Sequence, residues 1–481
     1  MLVEPMPPPF LRACLLLVPL LFACAPTPGA DRAGHGVLLI AVDALRADHL
    51  PSGGYDRRTM PRVEQLISEG AYFEHTFAAA PQRIPSHAAL LSGSDPNLAR
   101  RKAPQWLEAS LEQPWYLPPA VPRLGVEFLV GGAATAAFVD HADVSAAYGF
   151  AAGFQTFEGP PQGADASHGA ERLVTRTLNW VRTLGRERDW FAYVHFADLD
   201  RTWRTPDPRW DTYFEPRPEL DAVPPVGTSE PSLFAIPPAR FFGGVLTLGQ
   251  YEARYDGALR RLDTELHRLL EELDAAGRLE HTTIALVGTF GVQFGEAGLM
   301  LDAGRLSLAD LAVPFVLRPA PARFGAFDGR RIGGIASLMD VAPTLIDAAG
   351  LTVPRTMQGL TLWPAARDNT PSPRRHAFAS CGIQSGYAAF NATQAIEVLL
   401  FGEGARASLV SGWFGDLERR SNWTEERLYD WRADPFPPLA APPGLTLSET
   451  AELKAAAVAW VETVEKLRRA VQEPISVWER P

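Results

Sequence analysis

The chain has 481 residues, 46% of them hydrophobic, with a formal charge of −11 and a pI near 5.5. That length supports one large core with a smaller appended unit. An acidic chain without a basic run of five or more residues excludes nucleic-acid backbone binding as its main task.

Residues 1–23 read as a signal peptide. Arg12 is the positive charge of a short leading region, and Ala13 to Ala23 is apolar but too short to span a bilayer. The stretch ends in Leu21-Phe22-Ala23-Cys24, which resembles a bacterial lipobox. That resemblance implies lipidation of Cys24 and a membrane anchor through the lipid. The expected location is the bacterial cell envelope, at the outer membrane, facing the periplasm or the surface. The alternative is ordinary signal cleavage between Ala25 and Ala30. Of the three cysteines, Cys14, Cys24 and Cys381, only Cys381 stays free in the mature chain, so no intrachain disulfide is expected. Cys381 itself reads as a small buried hydrophobe.

After a tether over 24–34, continuous apolar runs alternate with helical periodicity. Val37–Val42, Trp190–Phe196, Ile284–Val287 and Pro314–Leu317 have the composition of strands buried on both faces. Tyr251, Tyr255, Leu259, Leu262, Leu266, Leu269 and Leu273 fall on one stripe at spacings of four and three, which predicts a long amphipathic helix. The expected fold is therefore α/β: a mostly parallel central sheet flanked by helices over 35–365, with sites at the carboxyl ends of strands. Asp43 stands at such an end.

Residues 201–244 turn rich in Pro, Trp, Tyr and Phe and read as a surface insertion. Its Trp203, Trp210, Tyr213 and Phe214 offer either a platform for a sugar or partner protein, or a local satellite core. Pro364 to Arg375 reads as a linker. Beyond it, 376–481 should form a small α+β subdomain. Its last helix opens with a capping box, Thr446-x-x-Glu449, and shows Leu453, Ala457, Trp460, Val464, Leu467 and Val471 on one face.

Six blocks occur in a fixed order. They are Val37-Leu-Leu-Ile-Ala-Val-Asp-Ala-Leu-Arg-Ala-Asp-His-Leu50, Thr59 to Phe73, Ala80-Pro-Gln-Arg-Ile-Pro-Ser-His-Ala-Ala-Leu-Leu-Ser-Gly93, Met339 to Gly350, Gln358 to Leu362, and Leu428 to Pro435. Between the third and fourth lies Thr283-Ile-Ala-Leu-Val-Gly-Thr-Phe-Gly-Val-Gln-Phe-Gly-Glu-Ala-Gly298. Together these resemble the sulfatase family of the alkaline phosphatase superfamily. The resemblance implies the α/β fold above, with Thr59 to Phe73 as a helix and an edge. It also implies ester-hydrolase chemistry resting on a divalent metal and a metal-activated nucleophile.

Position by position, the resemblance puts Arg83 at the nucleophile, and a guanidinium cannot attack. Asp43 is the one retained metal ligand. Thr289 and Phe290 replace Asp-His, Ala297 replaces a histidine, Ala303-Gly304 replaces His-Gly, and Asp198-Leu-Asp200 stands for Asp-Pro-His. No metal or other cofactor is therefore expected; the alternative is one weakly bound divalent cation. An Asp43–Arg83 ion pair is expected to stand in for the metal bridge, the alternative being that Arg83 points to solvent. Ser86 reads as a helix-start residue satisfying backbone donors, and a Ser86–His87 dyad is disfavoured because adjacent helical residues do not face each other. His195 reads as a satisfied core histidine, and the candidates for an anion or substrate pocket are Asp43, Arg83, Ser86, His87, Asp198 and Asp200.

The leading functional expectation is a catalytically inactive, sulfatase-like envelope lipoprotein. Arg83 would form an anion site for a sulfated or phosphorylated glycan, or the insertion would bind an envelope protein. The alternatives are an active sulfate- or phosphate-ester hydrolase with a rearranged metal site, and a purely structural partner of another envelope protein.

Overall fold

The computed structural model describes residues 33–99, 116–160, 169–200, 208–218, 247–294, 306–381, 386–390, 394–399, 425–430 and helical positions between 452 and 467. The expected signal peptide with Cys24, and also Trp203, Ala297, Ala303, Gly304 and the expected Thr446 capping box, lie outside the described residues. Among the described residues no helix is long and apolar enough to cross a membrane.

Strand β1, Gly36–Val42, is buried along its whole length, and its alternate side chains enter two different cores. Leu38, Ile40 and Val42 face one layer, whereas Val37, Leu39 and Ala41 face the other. The other strands of the main sheet are β2 (Ala71–Phe77), β3 (Ala134–Val139), β4 (Thr156–Glu158), β5 (Trp190–Phe196), β6 (Thr282–Gly288), β7 (Ala312–Arg318) and β8 (Arg330–Ser337). Their order is β4-β3-β5-β1-β6-β7-β2-β8. All neighbours are parallel except β7, which runs antiparallel to both β6 and β2. The sheet is thus mostly parallel, as the apolar runs predict.

Helices α1 (Pro61–Glu69), α2 (Arg83–Ser92), α3 (Leu124–Val130), α4 (Gly169–Thr183) and α5 (Leu248–Ala275) cover the two faces. The first core packs α1, α4 and α5 on the sheet, and the second packs α2 and α3. Every residue of the tyrosine and leucine stripe of α5 is buried. The helix opens with a capping box: Thr247 Oγ1 accepts from the Gln250 amide, and the Gln250 side chain accepts from Thr247 N–H.

Three expectations change. Strand β2 is not an edge, since β8 pairs with its outer side. Pro314 sits inside β7, where a proline removes a ladder donor. The sheet accommodates it because β2 bulges there: Phe73 pairs with Phe315 and Thr76 with Val313, leaving Glu74 and His75 opposite Pro314. The stretch from Pro364 to Arg375 is not a free linker. Residues Trp363–Asp368 are helical and end at Asn369, whose φ of 54° is left-handed. Arg374 then reaches back to the buried Asp340, with Nε at 2.6 Å from Oδ2 and a second bond from Nη2 to Oδ1.

The chain continues into an antiparallel sheet of β9 (Ala377–Cys381), β10 (Gly386–Phe390), β11 (Gln394–Leu399) and β12 (Glu425–Asp430). Phe390 stacks on Phe77 with centroids 4.2 Å apart, and Asn97 donates to Ser380 Oγ at 3.0 Å. On the other side Trp460 of the C-terminal helix stacks on Phe378 at 4.9 Å. Removing the cation of a buried, bonded pair leaves an uncompensated carboxylate. Arg374→Ala is accordingly expected to destabilise the protein by about 3–5 kcal/mol in urea unfolding. A loss below about 1 kcal/mol would mean that the backbone donors of Ser337 and Leu360 suffice for Asp340.

Candidate functional site

The site begins at the carboxyl end of β1, between β5 and β6. The ladder continues one residue past the strands: Asp43 N–H donates to Phe196 O and Thr289 N–H to Val42 O, both at 2.9 Å. These bonds fix Asp43 and Thr289 side by side. The next residue, Ala44, has φ 56°, a left-handed conformation that costs a non-glycine residue about 1–2 kcal/mol. Tyr255 of α5 holds that turn by donating to Ala44 O at 2.7 Å.

Asp43 is fully buried and its two oxygens accept four hydrogen bonds. Oδ1 takes Thr289 Oγ1 at 2.5 Å and His87 Nε2 at 2.9 Å. Oδ2 takes Arg83 Nε at 2.6 Å and His195 Nε2 at 2.9 Å. Burial works against charge on Asp43, but His195, His87 and Arg83 hold its carboxyl well below the usual carboxylate range. An ionised carboxylate only accepts, so both histidines present Nε2–H to it. The Tyr193 hydroxyl, whose ionisation burial and Asp43 both push well up, donates in turn to His87 Nδ1 at 2.5 Å. Among the described residues the buried His195 Nδ1 has no hydrogen-bond partner.

Arg83 is the first residue of α2, and its guanidinium lies across the mouth of this cluster. Beyond Asp43, Nη1 bonds Asp143 Oδ2 at 3.1 Å and His141 Nδ1 at 3.0 Å, and Nη2 bonds Asp200. Burial alone would weaken its proton affinity, but the carboxylates of Asp200, Asp43 and Asp143 reverse that and raise it. Arg83 therefore pairs with Asp43 and does not point to solvent. It does not form an open anion site either, since all three of its nitrogens are engaged and one guanidinium faces three carboxylates. A sulfate or phosphate brought to it would meet those carboxylates first.

Other residues fall differently from expectation. Ser86 is not the helix cap, a place taken by Gln82; its hydroxyl donates to Thr289 O, tying α2 to the end of β6. His195 is no separate core histidine but a partner of Asp43. Asp198 and Asp200 part company across a 3-10 turn: Asp200 meets Arg83, whereas Asp198 turns to Arg261 at 3.2 Å and the Ala170 amide at 3.3 Å. Phe290 is buried in the core beneath α5. In the insertion, Trp210 and Tyr213 stack at 5.5 Å against α5, close enough that Gly257 is required opposite Trp210 O. Tyr213 remains 47% exposed. His141, Asp143 and Tyr193 were not anticipated. His141 and Asp143 follow β3, whose alanine-rich run is a faint strand signal, and Tyr193 shares the α2 face of β5 with His195 through the two-residue period.

The sulfatase family model matches residues 35–351. The chain belongs to the sulfatase family. Among curated relatives, N-acetylglucosamine-6-O-sulfatase of Bacteroides thetaiotaomicron is 29% identical over 125 residues, 26% of this chain and 22% of that one. The multifunctional alkaline phosphatase superfamily protein PehA of Trinickia caryophylli is also 29% identical, over 126 residues, 26% of this chain and 24% of that one. The matched part thus spans about a quarter or less of these curated relatives. Among solved structures, the phosphonate monoester hydrolase of Agrobacterium radiobacter shares the fold with a TM-score of 0.65 at 18% identity, covering 91% of this chain and 96% of that one. BT4656, solved with its substrate D-glucosamine-2-N,6-O-disulfate, gives 0.65 at 15% identity, covering 92% and 99%.

The divalent ion that a sulfatase-family site implies does not fit the residues here. Asp43 has about four acceptor positions and all are used. Arg83 brings its own positive charge to 2.6 Å from Asp43 Oδ2. Thr289 approaches the carboxylate as a donor, and Phe290 contributes only to packing.

Burial drives the His195 imidazole down to about 3; Asp43 opposes this, while His87 and Arg83 add to it. Its folded pKa lies below the unfolded one, so between about pH 6.5 and 3 the unfolded chain takes up a proton that the folded chain does not. Stability must fall as pH drops through that window. His195→Gln keeps an amide donor for Asp43 and removes the titration. Between pH 6.5 and 4.5 wild type should lose about 2 kcal/mol more than this variant in urea unfolding. Parallel pH profiles for the two proteins would refute the assignment.

Proposed function

We propose that this sulfatase-family protein binds without hydrolysing, and that it is held in the bacterial cell envelope by a lipid on Cys24. The observation that carries this reading is the Arg83 guanidinium, at the position the resemblance gives to the nucleophile, bonded to Asp43, Asp143 and Asp200. It supplies neither a nucleophile nor an acceptor for a metal, and the electrostatic term on which ester cleavage depends is lost with them. The ligand class we infer is a sulfated saccharide or an envelope protein. Because Arg83 is neutralised within the site, the aromatic segment around Trp210 and Tyr213 is the better contact surface. Arg209 lies over the Trp210 ring and Arg260 over Tyr213, 5.4 and 5.6 Å from the centroids.

One specific observation favours the hydrolase reading: ligand atoms of Asp43, His87 and His195 lie within 4.8 Å of one another. A direct assay separates the two. The mature protein is incubated with aryl sulfate, phosphate monoester and phosphonate monoester substrates, with and without Ca²⁺, Mg²⁺, Mn²⁺ or Zn²⁺, and its metal content is measured. The expected result is no turnover and no stoichiometric metal. Turnover that disappears in Asp43→Ala would overturn the non-hydrolytic reading.

A further inference from the structure

Asp43, His87 and His195 are all fully buried, and each offers one ligand-type atom, the three lying within 4.8 Å of one another. Two imidazole nitrogens and one carboxylate oxygen form a set suited to Zn²⁺, Co²⁺ or Ni²⁺ and poorly suited to Ca²⁺ or Mg²⁺, which prefer oxygen. What stands against occupancy is Arg83, whose Nε holds the same Oδ2 that His195 bonds.

We infer that Arg83 is the built-in occupant of a transition-metal site made by Asp43, His87 and His195, and that removing its charge opens that site. This rests on the reading that Arg83 stands where a metal would.

The rearrangement is chemically balanced within the cluster. Each imidazole moves its proton from Nε2 to Nδ1, which frees Nε2 as a ligand without changing its charge. His87 Nδ1–H would then donate to Tyr193 Oη, the kind of outer-shell bond that orients a metal-bound imidazole. Among the described residues His195 Nδ1 has no such partner, which places His195 as the weaker of the two imidazole ligands. Loss of the guanidinium also leaves Asp43, Asp143 and Asp200 without their shared cation, a field that favours a dication.

The test is Arg83→Ala, stripped of metal and titrated with Co²⁺, Zn²⁺ and Ca²⁺. The variant should take one equivalent of Co²⁺, with the visible spectrum of nitrogen-ligated cobalt, and bind Zn²⁺ about 100-fold or more tightly than wild type. Ca²⁺ should not compete. Adding His195→Ala should remove the cobalt spectrum, and Arg83→Lys, which keeps a cation, should bind no metal. A folded Arg83→Ala protein without cobalt binding overturns this inference alone. Stoichiometric metal in wild type overturns the proposed function as well. Should Arg83→Ala fail to fold, nitrogen-15 NMR of wild type still tests the geometry: both histidines must carry hydrogen on Nε2, and Nδ1–H on either refutes it.

Discussion

The site depends on one saturated carboxylate. Asp43 lies with no solvent contact at the end of the central strand, and burial of a charge there is tolerated only because four donors converge on it. The donors come from separate parts of the molecule: Arg83 and His87 from α2, His195 from β5, Thr289 from the end of β6. The same bonds therefore set the position of α2 over the sheet, the orientation of two imidazoles, and the direction in which the chain leaves β6. The strained turn at Ala44 is held beside it by Tyr255, so the rigidity of α5 reaches the carboxylate through a single hydroxyl.

Arg83 makes the cluster self-contained. A metal ion would bridge substrate and protein with open coordination positions, whereas a guanidinium spends its directional donors on fixed partners. In this chain those partners are carboxylates on three different segments, and the arrangement pulls the loop after β3 and the turn after β5 onto the start of α2. The cation thus serves as a cross-link between surface turns, and the same property removes it as a receptor for external anions.

The parts of this architecture that were legible in the sequence follow simple periodicities. Buried strands such as Val37–Val42 and Trp190–Phe196 are continuous apolar runs, and the α5 stripe repeats at helical spacing. The Asp43–Arg83 pair could be anticipated because a buried carboxylate needs a counter-charge and the family pattern placed one candidate nearby. What could not be read depended on local turns or on weak strand signals. The 3-10 turn that separates Asp198 from Asp200 leaves no mark in composition. The alanine-rich β3 hid His141 and Asp143, and Ser86 proved to be a donor to Thr289 O instead of a cap. His195 was visible as a residue, but its role required knowing that α2 covers that face of β5.

The partners of Asp43 are spread widely along the chain, at separations of 40 residues for Arg83, 44 for His87, 152 for His195 and 246 for Thr289. During synthesis the carboxylate emerges long before β5 and β6 exist to enclose it. Its last donor and the strand that closes one side of β1 arrive only with residues 282–289, so enclosure before then would bury the charge with its donor set incomplete. Closure of the sheet around β1 is therefore a late event of high contact order, and it ties completion of the site to near-completion of the main domain. A chain stopped before β6 would still hold Arg83, His87 and His195 but would lack Thr289 and the strand that covers one side of β1, leaving the carboxylate open along that side.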